Sequence, residues 1–242
     1  MTLSLPPIIP WEKNRANMCA FGEIFSYWKD YDILTFLVGL GIYHPSLCTF
    51  LDSFEKEKEL RYKTAISHKR FVVSRSILKH ILLNILLAPN LSDIILIRRE
   101  DGRILVKDFP EVYISLSYSG TSIAITVGKR KIGSDIEVLR PMDIRKTQSY
   151  PLFTDKNCRN DKERIQNFLH QWTLIEAYAK LHDSIPYPYL MLRDFPRDAD
   201  FVSYCINNSS VFSLASGLDM GKDALFWLDT AVAGFSSQTD EY

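Results

Sequence analysis

Apolar residues recur along the chain with two different periods. Between Phe54 and Leu87, Phe71, Ile77, Leu78, Ile81 and Leu82 fall at spacings that share one helix face, widened by Val72 and Val73. Alternating charges, Glu55 to Glu59, precede them, and Asp52-Ser53 supplies a cap. The segment therefore predicts a helix over 54–87. From Asp93 the period shortens. Asp93 to Ile97, Val112 to Ser117, Ser122 to Val127 and Lys131 to Val138 read as strands. Glu100-Asp101-Gly102-Arg103 reads as a hairpin turn, and Ser119-Gly120 and Gly128 as breaks. A second long helix is expected from about Lys162 to Leu181. Short strands of a meander follow at Phe201 to Ile206, Val211 to Ala215 and Leu225 to Leu228, then a frayed polar end from Ser236 to Tyr242. The first fifty residues, rich in proline and aromatics, resist assignment. Each half thus holds one long helix and a set of strands, which predicts an α+β fold of two halves, residues 1–130 and 131–242.

Composition narrows the function classes. Lysine plus arginine equals aspartate plus glutamate, so the 242-residue chain has no net charge at pH 7 and no strong overall field for nucleic acid or an anionic membrane. The run Ile33 to Tyr43 is far shorter than the roughly 20 residues of a membrane span and is expected in the core. No basic, apolar leader opens the chain. Cys19, Cys48, Cys158 and Cys205 are scattered, form no C-x-x-C pair and have no histidine clustered with them in sequence. That argues against a disulfide framework and a structural zinc site, and fits a reducing cytoplasm. His44, His68, His80, His170 and His182 show no partners in sequence.

Two segments carry chemistry. In Ile132-Gly133-Ser134-Asp135-Ile136-Glu137, a strand places Asp135 and Glu137 on the same face. Taken alone, such a pair is more often a solvated strand face than a site for a hard cation such as Mg²⁺. In Trp172-Thr173-Leu174-Ile175-Glu176-Ala177-Tyr178-Ala179-Lys180, a helix lines up Thr173, Glu176 and Lys180 beside an apolar stripe of Phe168, Trp172, Ile175 and Ala179. Alone, Glu176 and Lys180 read as an ordinary surface pair. Together the segments offer three carboxylates and a lysine, the equipment for phosphoryl-type transfer.

G-x-D-x-E followed by W-[ST]-x-x-E-A-x-x-K resembles the signature of the 4′-phosphopantetheinyl transferases, and the length and two-half layout resemble their surfactin-synthetase-activating type. The resemblance runs from about Phe54 to Leu192. It implies a pseudo-dimer of two similar α+β halves, monomeric in solution, with the active site in the cleft between them. It implies an enzyme that moves 4′-phosphopantetheine from coenzyme A to a serine of an apo acyl or peptidyl carrier protein, releasing 3′,5′-ADP. By the same resemblance Asp135, Glu137 and Glu176 hold Mg²⁺ (or Mn²⁺), and Glu176 and Lys180 act in catalysis. Arg70, with Lys58 and Arg103, takes the 3′-phosphate, while Ser117 and Tyr118 contact the nucleotide. Three positions depart from the family: Tyr118 stands for its histidine, Arg103 for its lysine and Ile104 for its proline. Three other readings stay open at this point: a degenerate relative that binds coenzyme A or a carrier without turnover, a different three-carboxylate phosphotransferase or nuclease, and a purely structural interaction protein in which both motifs are coincidence.

Overall fold

A computed structural model describes residues 6–13, 18–99, 102–143, 153, 158–192 and 195–229. The strands are β1 (Ile8–Trp11), β2 (Met18–Ala20), β3 (Ile33–Gly39), β4 (Leu96–Arg98), β5 (Ile104–Val106), β6 (Tyr113–Ser119), β7 (Ser122–Gly128), β8 (Ile132–Val138), β9 (Ala199–Ile206), β10 (Ser210–Gly217) and β11 (Asp223–Asp229). The helices are α1 (Ile24–Asp30), α2 (Ser53–Glu59), α3 (Ala65–Leu86), α4 (Asp161–Leu181) and α5 (Tyr187–Leu190). The fold is mixed α+β. No helix among the described residues is long and apolar enough to cross a membrane.

Two sheets dominate, one in the order β2-β11-β3-β7-β6 and one in the order β1-β9-β10-β8. Each contains the same unit: a strand, a long helix, then a hairpin whose second strand pairs with the first strand. That unit is β3, α3 and β6-β7 in one case, and β8, α4 and β9-β10 in the other. The units exchange strands, because β1 pairs with β9 and β11 pairs with β2 and β3. The last strand therefore leaves its neighbours and crosses to the other sheet, where a meander would have kept it beside them.

Burial explains the unbroken apolar run at β3. Leu34, Phe36 and Val38 pack toward α3 with Ile77, Ile81, Ile123 and Ile125. Ile33 and Leu37 face the other sheet, against Ile132, Ile136, Phe212 and Leu214. A strand buried on both faces loses the alternation that marks a half-exposed one. On the far side of the second sheet, Ala177, Tyr178 and Leu181 of α4 meet Ala199 and Ala215. The layers are thus helix, sheet, sheet, helix.

The predicted helix over 54–87 is two helices. Asp52 caps α2, accepting from the Glu55 amide at 2.8 Å while Glu55 Oε2 accepts from the Asp52 amide at 3.2 Å. The chain then breaks after Leu60, and Thr64 caps α3 through the Ser67 amide at 3.2 Å. The strand expected at 93–97 is shorter and later: Leu91–Asp93 form a 3₁₀ turn, and only 96–98 pair with β5. In the hairpin between them Gly102, at φ +90°, donates to Arg99 O at 3.0 Å, whereas Glu100 and Asp101 lie outside the described residues, as does the expected fraying over 236–242.

Gly133 sets how closely β8 approaches α4. A Cβ there would fall onto the Ala177 carbonyl oxygen and the Leu181 amide, backbone atoms that cannot move aside. Gly133→Val is expected to cost at least about 2 kcal/mol, since overpacking against a rigid helix must displace it. Urea denaturation checks this, and an unchanged midpoint would show that the helix does not seat on this glycine.

Candidate active site

The edge strand β6 of one sheet lies beside the edge strand β8 of the other, and serines join them. Ser115, Ser117 and Ser119 alternate along β6 and so point to one side. Their hydroxyl oxygens accept from the amides of Ser134 (2.9 Å), Ile136 (3.2 Å) and Val138 (3.0 Å). The same hydroxyls donate onward: Ser117 to Asp135 Oδ1 and Ser119 to Glu137 Oε2, both at 2.6 Å. Ser117 is therefore spent on the carboxylates and does not line the neighbouring cavity.

α4 supplies the other side. Asn160 caps its start, accepting from the Glu163 amide at 2.9 Å. Thr173 ties it to β10 through Ser213 Oγ at 2.7 Å. One turn beyond Glu176, Lys180 Nζ donates to Asp135 Oδ1 at 2.7 Å and to Ser134 O at 3.0 Å. Asp135 Oδ2 is buried with no hydrogen-bond partner. Burial pushes the Asp135 carboxyl above its ordinary value, outweighing Lys180 and Ser117, which pull it down. Glu176 is also raised, first by burial and then by the charges of Asp135 and Glu137. Glu137 is held by Ser119 and by Arg140 at 2.8 Å.

The structure thus brings Asp135, Glu137, Glu176 and Lys180 into one electrostatic group. It does not draw the three carboxylates so close that ligand oxygens from all of them lie within 4.8 Å of one another. Like charges repel, and here Lys180 and Arg140 share the neutralisation. The donors fit a hard divalent cation: all are oxygens, one buried oxygen is unpartnered, and burial disfavours the charged form of two of the carboxyls.

Next to this group lies a cavity of about 510 Å³. Lys58, Arg70, Arg75, Arg98, Arg103 and Lys180 all line it. Tyr118 lines it as well, its hydroxyl donating to Ser74 at 3.0 Å. Arg70 reaches across to the β6–β7 turn and donates to Gly120 O at 2.6 Å. Arg103 pairs with Asp183 and donates to Lys180 O at 3.2 Å, so the β4–β5 hairpin touches the end of α4. Lys58 is pushed down to about 8, first by burial and then by Arg98 and Arg75. An anion in the cavity would offset both the burial and the repulsion from the two arginines.

Arg75 and Arg98 escaped the sequence reading. Arg75 is buried, its Nε lacks a partner, and its guanidinium lies over the Phe71 ring at 5.6 Å. The signal was a cation, flanked by Ser74 and Ser76, interrupting the apolar run between Val73 and Ile77. For Arg98, at the end of a three-residue strand, the sequence gives none.

No protein-family model matches the chain. It is similar to the 4′-phosphopantetheinyl transferase psf-1 of Bacillus pumilus, 26% identical over 133 residues, which cover 53% of this chain and 57% of that protein. It is 28% identical over 85 residues to a 4′-phosphopantetheinyl transferase of Bacillus subtilis, covering 34% of this chain and 38% of the relative. Sfp of Bacillus subtilis strain 168, also a 4′-phosphopantetheinyl transferase by name, is 26% identical over 92 residues, covering 37% of this chain and 41% of Sfp. In each case the match spans less than two thirds of the relative's own length.

The raised carboxyls give a pH signature. Where a folded-state acid has a raised pKa, the folded state binds more protons than the unfolded one between the two values, so stability falls as pH rises through that window. The ordinary values are 3.8 for Asp135 and 4.5 for Glu176. Asp135→Asn keeps an acceptor for Ser117 and Lys180 but removes the titration. In EDTA, its stability relative to the natural chain is expected to rise as pH goes from about 4 to about 7. Urea denaturation at each pH checks this; a difference independent of pH would contradict it.

Proposed function

Because the chain is a sequence relative of the 4′-phosphopantetheinyl transferases of the Sfp type, we propose that it transfers 4′-phosphopantetheine from coenzyme A to a serine hydroxyl of an apo carrier protein. The observation that carries this is the joint placement of the carboxylate–lysine group and the six-cation cavity at one site. The cavity suits a ligand with several phosphates, and coenzyme A has them. In this reading the two repeated units form a pseudo-dimer, and the cavity, lined from residue 58 to residue 184, is the cleft between them.

The cations hold the nucleotide. Arg70, Arg75 and Lys58 take the 3′-phosphate end, and a phosphate there would give the buried Arg75 Nε the partner it lacks. Arg103 and Arg98 stand on the hairpin side of the same cavity. Tyr118 supplies a wall and a hydroxyl. Asp135, Glu137 and Glu176 would hold Mg²⁺, which supplies positive charge beside the pyrophosphate when bound.

Glu176 accepts the proton of the carrier serine. The serine oxygen bonds to the phosphorus that bears pantetheine, the bond from that phosphorus to the bridging oxygen breaks, and 3′,5′-ADP leaves with the electron pair. Lys180, one turn from Glu176, meets the negative charge that develops on the leaving phosphate. Its contact with Asp135 keeps the ammonium at the site. The carrier ends with a flexible thiol arm.

Mass spectrometry of a panel of apo peptidyl, polyketide and fatty-acid carriers, incubated with coenzyme A and Mg²⁺, tests this. One phosphopantetheine gained on serine is expected, falling by about a hundredfold or more in rate with Glu176→Gln, the scale of a lost general base. Coenzyme A binding without any carrier modified would identify a binder that does not turn over.

A further inference from the structure

A second group of chemistry-bearing side chains lies outside the lining of the cavity, and the proposed reaction does not use it. Cys48 comes from the 3₁₀ turn Pro45–Phe50, Glu59 ends α2, and His68 lies in the first turn of α3. Three separate elements thus bring a sulfur, an oxygen and a nitrogen together, with the ligand atoms all within 4.8 Å of one another. Nothing in the spacing of these residues hints at this, because they are scattered and only the packing of the α2–α3 turn on the preceding segment joins them.

Glu59 Oε1 is the hub. Cys48 Sγ donates to it at 3.2 Å and His68 Nε2 at 2.7 Å. Since a carboxylate only accepts, the His68 proton sits on Nε2. Two protons therefore converge on one oxygen at the centre of three ligating atoms, where one cation could replace both. A nucleophilic cysteine is the rival reading, but it needs the histidine bonded to the sulfur. Here both groups bond to Glu59. Burial and Glu59 also push the thiol up to about 11, the wrong direction for a nucleophile.

We propose that Cys48, Glu59 and His68 form a binding site for a Zn²⁺-class transition metal, distinct from the carboxylate group at Asp135. Thiolate, imidazole and carboxylate are the donors such ions take, whereas Mg²⁺ rejects sulfur. All three side chains are partly exposed, which leaves an entry path and an open coordination position. The Tyr43 ring stands edge-on to His68 at 5.9 Å and closes one side.

Placement gives the site a consequence for the cavity. Lys58 precedes Glu59, and Ser67 precedes His68; both line the cavity, as does Arg70 two residues on. A metal held by Glu59 and His68 fixes the turn between α2 and α3 that carries these groups. Occupancy therefore stiffens the cationic wall.

The test uses the full chain with Mg²⁺ in excess, so that the oxygen-only carboxylates are saturated and cannot report. Titration with Co²⁺ is expected to give the intense near-ultraviolet thiolate-to-metal band of a cysteine ligand, at about one ion per chain, and Zn²⁺ should bleach it. Isothermal titration with Zn²⁺ should show affinity lowered about tenfold or more in Cys48→Ser and in His68→Gln. Absence of the thiolate band in the natural chain overturns the proposal whether or not the variants fold. Zn²⁺ affinity unchanged in folded variants overturns it equally. Because neither readout involves phosphopantetheine transfer, an inactive enzyme would not count against the site.

Discussion

Two sheet edges meet through side-chain hydroxyls, and the carboxylate–lysine group depends on that seam. An edge strand normally exposes a row of unpaired amides that must find water or a partner. β8 sits at the edge of its sheet with its inward ladder to β10, so the amides of Ser134, Ile136 and Val138 point away from it. Each finds a serine of β6. An amide buried without a partner costs about 1–3 kcal/mol, so three serines at alternate positions join the sheets where no backbone ladder can form. The hydroxyls also donate, and what they donate to are Asp135 and Glu137. One device thus closes the seam and orients two carboxylates.

On the opposite side the same strand must receive a helix. Gly133, one pleat before Asp135 on the same face, lets the α4 backbone come into contact. That contact places Lys180 on Asp135 and Glu176 near both acids. The two motif segments are therefore two faces of a single contact: the glycine sets the distance, the serines set the orientation, and burial sets the proton affinity. The cations of α2, α3 and the β4–β5 hairpin then surround the adjoining space, where burial and the neighbouring Arg98 and Arg75 lower Lys58.

Much of this was legible in the chain. Strands β6, β7 and β8 and helix α4 follow directly from period and turn residues, and the cap at Asp52 sits where the sequence places it. Asp135, Glu137, Glu176 and Lys180 stand out only when the two segments are taken together and set beside the family signature they resemble. What stayed hidden depends on long-range pairing. The first fifty residues hold β1, β2, α1 and β3, of which β1 and β2 are short pieces completed by strands from the far end of the chain, Ala199–Ile206 and Asp223–Asp229. No local pattern encodes such a partner. Ser117 was expected against the nucleotide because of its position in a motif; in the structure its hydroxyl lies between the Ile136 amide and Asp135, in line with Ser115 and Ser119, a role that only the approach of β8 creates. Cys48, Glu59 and His68 show the same limit: packing alone makes them neighbours.

The seam is the part of the account on which the rest stands, and amide hydrogen exchange reads it directly. The account predicts that the Ser134, Ile136 and Val138 amides are protected in the natural chain. In Ser117→Ala the Ile136 amide should exchange faster by about fivefold or more, since losing one such bond is worth on the order of 1 kcal/mol, while the amides between β8 and β10 keep their protection. Equal protection of the Ile136 amide with and without the Ser117 hydroxyl would contradict it.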